Sequence, residues 1–572
     1  MIGARSSPHA FARVAACLPA AAAALLLVSC GEDERFPPYD VTDETAQYYQ
    51  SKPEFFVFAS PEDLPGDLVW ETGMDLPEIG SPEAKKGGTV NYWIDDFPAT
   101  IRFVGPDAND SFRSEHWDDL NIYTVMRHPN VDAWMPGLAN EWANGSDGRT
   151  SYFKLDPKAT WSDGTPITTD DFFMTFFVYQ SKNINDPWYN NWYGEQYTKI
   201  TKYDDRTFAV TLKDIRPDPL WYTTLPPLHR EFFKEFSDDF PARYQWRKMP
   251  TTGAYDIGDA KERKKESKDE KWQPPEKDLR KGQAITMTRV KDWWLKDHKY
   301  YKNLFNPDRI HYRVIRNMEK AFESFRTGEV DHFAVSIPEY WHNKLDIPEF
   351  HNGYIEKSTF YNIYPRVSRG IYINCSKPVL ENRDIRYGIH HAMNVDRVIE
   401  IELRGDFERM QSTQAGFGKF TNPDVKPREF SPAKAREYFA KAGFSKVGAD
   451  GILMNEQGQR LSFRLGIFGG MAIYQQSALR LKQEALKAGL EIVIDAMDGT
   501  AFYESVMEKS HDMVIWGWAA SPPYPRFWEG FTRTTPLRKT TTRALKSDPT
   551  GGGSPSRRPT ISPAPPTRRW TS

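Results

Sequence analysis

Met135-Pro136-Gly137-Leu138-Ala139-Asn140-Glu141-Trp142, followed by Tyr152-Phe153-Lys154-Leu155 and Trp161-Ser162-Asp163-Gly164-Thr165-Pro166-Ile167-Thr168-Thr169-Asp170-Asp171-Phe172, is the most informative stretch of the chain. Asp163-Gly164 is a turn pair, because Asp bonds its own backbone and Gly accepts a positive φ. Thr168 or Thr169 then caps a helix whose first turn carries two acids, favourable at the positive end of the helix dipole. Phe172, Phe173, Phe176 and Phe177 supply its apolar face. Trp142 and Trp161 fall inside this patterned sequence and are expected in the core.

The same logic extends along the chain. Lys85-Lys86-Gly87-Gly88-Thr89-Val90-Asn91-Tyr92-Trp93 is a turn leading into a strand. Ser431-Pro432 is an N-cap with Pro at the first helical position, Ala435, Tyr438, Phe439 and Ala442 share a face, and Gly443 ends the helix. Leu461, Phe463, Leu465 and Ile467 alternate as a strand, residues 473–488 read as a helix stopped by Gly489, and Glu491-Ile492-Val493-Ile494 is a second strand. A helical stretch around 500–509 leads to the apolar run Met513-Val514-Ile515-Trp516. This alternation predicts an α/β fold with parallel strands. Residues 259–282 are a charged run, expected as a solvated loop.

Three more stretches complete an ordered set. They are Pro250-Thr251-Thr252-Gly253-Ala254-Tyr255 with Thr286-Met287-Thr288-Arg289-Val290-Lys291-Asp292-Trp293-Trp294; Ala321-Phe322 through Gly328-Glu329-Val330-Asp331; and Tyr372-Ile373-Asn374 with Pro378 and Asn382-Arg383-Asp384-Ile385-Arg386 to Asp396-Arg397. Together with the opening stretch they resemble the family 5 extracellular solute-binding proteins, the oligopeptide and dipeptide receptors of ABC importers, over residues 85–530. The resemblance implies a two-lobed periplasmic-binding-protein fold, mixed sheets flanked by helices, closing on a ligand held between the lobes. Lobe one is expected over 84–290, with a family-specific subdomain at about 110–225, and lobe two over 291–512. Residues 513–531 would return to lobe one. The ATPase and the permease would be separate proteins, and the receptor itself a monomer that binds no nucleic acid.

The resemblance also places the ligand. In the oligopeptide receptors an Asp after the Gly-Trp of the returning strand pairs with the peptide's amino group. The matching strand here is Ile515-Trp516-Gly517-Trp518-Ala519-Ala520-Ser521, so that position is Ser521. A hydroxyl cannot supply the ionic partner of a buried ammonium. This points toward modified peptides, as in the subgroup taking lipopeptides and microcin C-type ligands, to which Glu323-Ser324-Phe325 and Trp341 are also similar. Trp516, Trp518, Ser521, Tyr372 and Asn374 are the candidate ligand-binding residues, and strand alternation is expected to present only one of the two Trp. An oligosaccharide receptor of the same fold, and a secreted hydrolase with a hidden carboxylate pair, are the alternatives.

Composition and missing motifs bound these readings. Among 572 residues there are 80 aromatics, and 75 Lys+Arg stand against 78 Asp+Glu, a net −3 that gives no drive toward nucleic acid. No phosphate-binding Gly-rich loop with Lys-Ser/Thr and no Gly-x-Ser-x-Gly elbow occurs, and the adjacent His390-His391 point to different faces, one core-facing and one exposed. No cofactor, no metal and no catalysis are expected.

The two ends differ from the body. Residues 1–29 have the layout of a secretory signal, with an apolar run that contains Pro19 and is shorter than the roughly 20 residues of a spanning helix. Leu27-Val28-Ser29-Cys30 resembles a lipobox, so Cys30 is expected to carry the lipid that anchors the protein in the periplasm of a bacterial envelope. Removal of Cys17 and acylation of Cys30 leave Cys375 without a disulfide partner. Residues 30–83 are expected to be a tether with short docking pieces. From 532 to 572 the chain turns to Thr, Pro and nine basic residues with one Asp, leaving the segment between signal and tail at −13. The abrupt change inside a patterned region is expected to reflect a non-native C-terminus.

Overall fold

The computed structural model describes residues 36–258, 278–335, 337–360, 365, 368–413, 415–469, 472–497, 501–502, 505–506 and 508–518. The signal, Cys30, most of the charged run, Ser521 and the basic tail lie outside the described residues.

The first lobe is built on the 135–180 stretch. Trp161 and Trp142 are core residues, and Gly164 has φ +92° in the expected turn. Thr168 stands at the N-cap of the helix Thr169–Gln180, and its backbone N–H donates to the Asp171 carboxylate at 2.8 Å. The apolar face does not stop at the four Phe: Met174, Val178 and Tyr179 are also buried, so this helix is enclosed on nearly all sides. It lies against a five-stranded sheet ordered Phe56–Phe58, Tyr197–Lys202, Thr207–Leu212, Thr150–Leu155, Ala139–Asn144. Phe172 stacks on Phe208 at 4.4 Å.

The stretch 36–83 does more than tether. It supplies the helix Thr42–Ser51 and the edge strand Phe56–Phe58, which pairs parallel with Tyr197–Lys202. Tyr48, Tyr49 and Phe56 meet Phe177 and Phe173 edge-on or tilted at 5.2–5.5 Å. Its apolar residues are too few to set a period in the sequence, but its rings Tyr48, Tyr49, Phe55, Phe56 and Phe58 each land on an aromatic partner.

A second sheet joins Thr89–Ile94, Arg309–Val314, Ala284–Arg289 and Leu279–Arg280, with Tyr255–Ile257 also on Ala284–Arg289. The Pro250–Tyr255 and Trp293 motifs meet here: the Trp293 indole N–H donates to the Thr252 carbonyl at 2.9 Å, and Asn121 Oδ1 accepts from the Thr251 and Thr252 hydroxyls. Gly253 is dictated by contact, since a Cβ there would sit 1.9 Å from the Leu120 carbonyl oxygen.

Residues beyond 290, expected in lobe two, continue this sheet and its core. Arg309–Val314 pairs parallel with Thr89–Ile94 along its whole length, and Trp293, Tyr300, Tyr301 and Tyr312 belong to the first core. The helix Met318–Arg326 and the following turn stay with this sheet too: Phe333 stacks on Trp93 at 6.0 Å, and the Asp331 N–H donates to the Asn91 carbonyl at 2.8 Å. Residues within 291–335 are thus bound to the edge and face of the strand Thr89–Ile94.

The second lobe has one four-stranded sheet, ordered Ser368–Ile373, Met513–Trp518, Ser462–Phe468, Glu491–Met497. Ser462–Phe468 runs parallel to both neighbours, and Ser368–Ile373 runs antiparallel to Met513–Trp518. Leu465, Ile467, Ile492 and Met513 pack with the helices Arg383–Ala392, Pro432–Lys441 and Ala472–Leu486 through Ile389, Phe439 and Leu481. Ser431 caps its helix through the Lys434 N–H, and Gly443 takes φ +90° at its end, as the sequence predicts. Of the expected return segment 513–531, the part 513–518 is a strand of this four-stranded sheet, and 519–531 lie outside the described residues. The segment 337–360 touches both groups of elements. Tyr340 packs on Phe322 and Phe333, while His342 meets the Asp406 carboxylate at 2.8 Å and Arg404 donates to Asn343 Oδ1 at 2.8 Å. No helix among the described residues is long and apolar enough to cross a membrane.

Candidate functional site

In open α/β sheets ligands collect outside the carboxyl ends of parallel strands, where loops splay and backbone groups are unpaired. Each lobe has such an edge. In the first, the parallel pair ends at Ile94 and Val314, and the chain continues into Asp95-Asp96-Phe97 and Ile315-Arg316. Arg316 and Asp96 form an exposed pair at 2.9 Å. Phe97 leans on Trp246 at 6.1 Å, and Lys281 Nζ stands 4.8 Å over that indole. Beneath the edge Tyr92 and Tyr312 stack at 5.7 Å, and the Tyr312 hydroxyl donates to Glu115 at 2.7 Å. Burial first, and then the Glu115 carboxylate, raises the pKa of both phenols, so both stay neutral. None of these edge residues was singled out by sequence reasoning; the signal was the switch from Val-Asn-Tyr-Trp-Ile to Asp-Asp at a strand end.

In the second lobe the carboxyl ends are Phe468, Met497 and Trp518, with Ser368 opposite Trp518. Positions 516 and 518 have the same strand parity, so alternation sets both apart from Gly517; the expectation that only one faces the ligand does not follow. Ile371, Ile373, Met513 and Ile515 turn to the helical core, which puts Tyr372, Val514 and Trp516 on the other face. Trp516 is half-buried, 5.5 Å from the Phe502 ring. Its cross-strand neighbour Gly370 has open space where a Cβ would stand.

The structure separates Asn374 from this edge. It follows Ile373, which is opposite Met513, five strand steps or about 17 Å from the Ser368–Trp518 pair. Its side-chain amide donates to the carbonyls of Lys509 and His511 at 2.8 and 2.9 Å, and its Oδ1 accepts from Ser376. Asn374 is thus a clasp that holds the turn before Met513–Trp518. Tyr372 lies between clasp and edge, opposite Val514. A polar cavity of about 290 Å³, lined by Arg464, Asp495, Glu508, His511 and Asp512 among others, opens near the clasp. Of the His pair, His391 is buried with Nδ1 2.8 Å from the Glu429 carbonyl, and His390 reaches the surface. Among the described residues no group of three or more His, Cys, Asp or Glu could hold a metal.

Known proteins agree with this architecture. A binding protein of Brucella suis is 24% identical over 503 residues, covering 80% of this chain and 76% of the relative. The peptidoglycan-binding protein YepA of Agrobacterium fabrum is 25% identical over 350 residues, 58% of this chain and 52% of that one. The oligopeptide-binding protein AppA of Bacillus subtilis, solved with a nonapeptide, superposes with a TM-score of 0.59 at 18% identity, over 77% of this chain and 81% of AppA. It has the two-lobed periplasmic-binding-protein fold. The model of the bacterial extracellular solute-binding proteins, family 5, matches residues 133–535, most of the folded chain, and the protein belongs to that family of ABC-transporter solute-binding proteins.

Proposed function

We propose that the protein captures peptides, and modified peptides in particular, between the carboxyl edges of its two lobes and delivers them to a membrane permease. The observation that carries this reading is that each lobe has such an edge: one polar, with Asp95, Asp96 and Arg316, and one aromatic, with Trp516 beside the open Gly370 and Trp518 at the strand end. A peptide needs both kinds of surface, polar groups for its backbone and flat apolar faces for its side chains. The nonapeptide in AppA and the name of YepA support the peptide class and favour cell-wall-type peptides within it. Ser521 at the position of an amine-pairing acid is the sequence argument for ligands without a free amino terminus. Lipid on Cys30 would hold the protein at the periplasmic face of an envelope membrane. On this reading lobe one runs to 335, lobe two takes 368–518, and 337–360 links them.

Native mass spectrometry of protein purified from its own envelope tests the ligand class. A co-purified peptide or peptide conjugate is the expected result. A co-purified free oligosaccharide, or turnover of the bound molecule during incubation, would replace this reading with one of the other two. Titration against acetylated and free-amino forms of one peptide tests the Ser521 argument, with the acetylated form expected to bind at least as tightly.

A further inference from the structure

The polar cavity beside the Asn374 clasp has no place in the peptide reading. Leu465, Ile467, Ile492 and Met513 turn to the helical core, so alternation sends Arg464, Gly466, Asp495 and Met497 to the opposite face of the second lobe's sheet. Ala501, Ser505, Glu508 and His511 stand across from them, leaving about 290 Å³ between the two walls. Contact sets the floor: a Cβ on Gly466 would meet the Met497 methyl at 2.9 Å and Val514 at 3.0 Å, so glycine makes room for Met497 over the strand. Hydrogen bonds fix the rim. Asn374 holds the carbonyls of Lys509 and His511 through its amide, and its backbone N–H donates to the Asp512 carbonyl at 2.9 Å. The wall at Met513 is five strand steps, about 17 Å, from Trp518.

The walls carry more negative than positive charge. Among the described residues Arg464 is the one cation lining the cavity, against the carboxylates of Asp495, Glu508 and Asp512. Its guanidinium stands 3.8 Å from Asp495, and its backbone N–H donates to Asp512 Oδ2 at 3.0 Å. Among the described residues neither Glu508 nor Asp512 has an ion-pair partner. The remaining polar groups are acceptors as well. A carbonyl only accepts, so the His511 ring, bonded through Nδ1 to the Ser505 carbonyl at 2.9 Å, carries its proton there and leaves Nε2 as an acceptor in the neutral ring. The Ser510 hydroxyl spends its proton on the Ser505 hydroxyl at 3.2 Å. Such a lining calls for a ligand that brings positive charge and N–H donors. The volume is near the lower end of the range for small organic ligands, about 300 Å³, and far above that of a single ion. We propose that this cavity binds a small aliphatic amine in its ammonium form, with Glu508 and Asp512 as the charge partners and Met497 and Ala501 against its carbon chain.

Isothermal titration of the full chain with 1,4-diaminobutane at constant ionic strength, with butane-1,4-diol as the uncharged counterpart, tests this. Saturable binding of the diamine and none of the diol is the expected result. Glu508→Gln, on the exposed rim, should weaken the diamine about threefold to fivefold, the size of a screened surface pair. Asp512→Asn, at a half-buried position, should weaken it roughly tenfold or more, as expected for a charged hydrogen bond. Asn keeps an oxygen for the Arg464 N–H, and Glu508 is exposed, so at least the Glu508 variant reads binding on an intact fold. Lys441→Gln, at the end of the helix Pro432–Lys441, should leave the affinity unchanged. No saturable binding of the diamine, diol binding of equal strength, or diamine binding that survives both carboxylate variants overturns the site.

Discussion

The two lobes are stabilised by different materials. Among the described residues the largest fully buried side chains, including Trp117, Trp142, Tyr179, Tyr244, Tyr300 and Phe172, all lie in the first lobe. There rings meet rings: Phe103 stacks on Trp117 at 3.9 Å, and Phe233, Phe236, Phe240 and Tyr244 form a continuous group. The second lobe is held mostly by Leu, Ile, Met and Ala around Phe439, Phe444 and Phe463, between a four-stranded sheet and the helices that cover it. Aromatic side chains bury more area each and fix their neighbours by edge-to-face geometry. Small aliphatic side chains allow backbones to approach closely instead. The first lobe is therefore a rigid platform with a large reserve of burial, and the second depends on tight helix contacts.

One glycine in each lobe tests that contrast. Gly253→Ala would drive a methyl to within 1.9 Å of the Leu120 carbonyl oxygen, beside Asn121 and Thr252, which are hydrogen-bonded to each other, and Trp293, which donates to the Thr252 carbonyl, so the backbone has little room to yield. A loss on the order of 4 kcal/mol is expected, in the range reserved for severe backbone conflicts. Gly388→Ala would bring a methyl to 2.3 Å from the Phe439 ring, where the helices Arg383–Ala392 and Pro432–Lys441 cross. A ring can shift where a backbone carbonyl cannot, so the cost should be about 2–3 kcal/mol. Amide exchange should localise the first effect to 120–122 and 250–293 and the second to the two crossing helices. Equal losses spread over both lobes would erase the distinction.

Burial in the first lobe also has an electrostatic cost. Asp110 caps a turn through the Arg113 N–H at 2.9 Å, but its second carboxylate oxygen is buried without a hydrogen-bond partner among the described residues. Desolvation pushes its pKa up to about 6, above the 3.8 of an ordinary Asp. A raised folded-state pKa means that the native chain holds a proton the unfolded chain has lost. Stability from this group is present below about 4 and falls away as pH rises through 6. Asp110→Asn keeps the cap and removes the charge, so it should gain about 2 kcal/mol at pH 7 and nothing at pH 4. Melting at both pH values checks the sign; a loss at pH 7 would mean that the ionised carboxylate is stabilised there.

The sequence was most legible where chemistry is local. The Asp163-Gly164 turn, the Thr168 cap, the Ser431 cap and the strands near 462–468 and 491–497 are set by residues a few positions apart, and the structure has them. Misplaced features depend on distant partners. Arg309–Val314 reads as a generic strand until Thr89–Ile94 lies beside it, more than 200 residues away in sequence. Phe55 and Phe56 look like isolated aromatics in a tether until Phe173 and Phe176 are seen beneath them. The bonds of the Asn374 amide to the carbonyls of residues 509 and 511 could likewise not be read from its motif, because those partners are far away in sequence. Trp516 could be placed on a strand but not on a face, since the face depends on which side the helices cover.

The smallest effect tests the link between the lobes. Tyr340 anchors the connector to Phe322 and Phe333, and Lys344 adds an ion pair with Glu319 at 3.3 Å, so its first part belongs mechanically to the first lobe. His342–Asp406 and Asn343–Arg404 attach the same turn to the second lobe. Arg404 reaches its partner from φ +53°, a left-handed conformation that a non-glycine residue adopts at some cost, at the end of the helix Val395–Ile401. Both side chains of the His342–Asp406 pair are more than a third exposed, and water and salt screen them. Asp406→Asn should therefore change global stability by less than about 0.5 kcal/mol. What it should change is local: exchange of the 340–344 amides should accelerate while that of 165–180, inside the aromatic platform, stays fixed. If 340–344 remains as protected as before, Tyr340 alone holds the connector and the second lobe hangs from the first without this polar attachment.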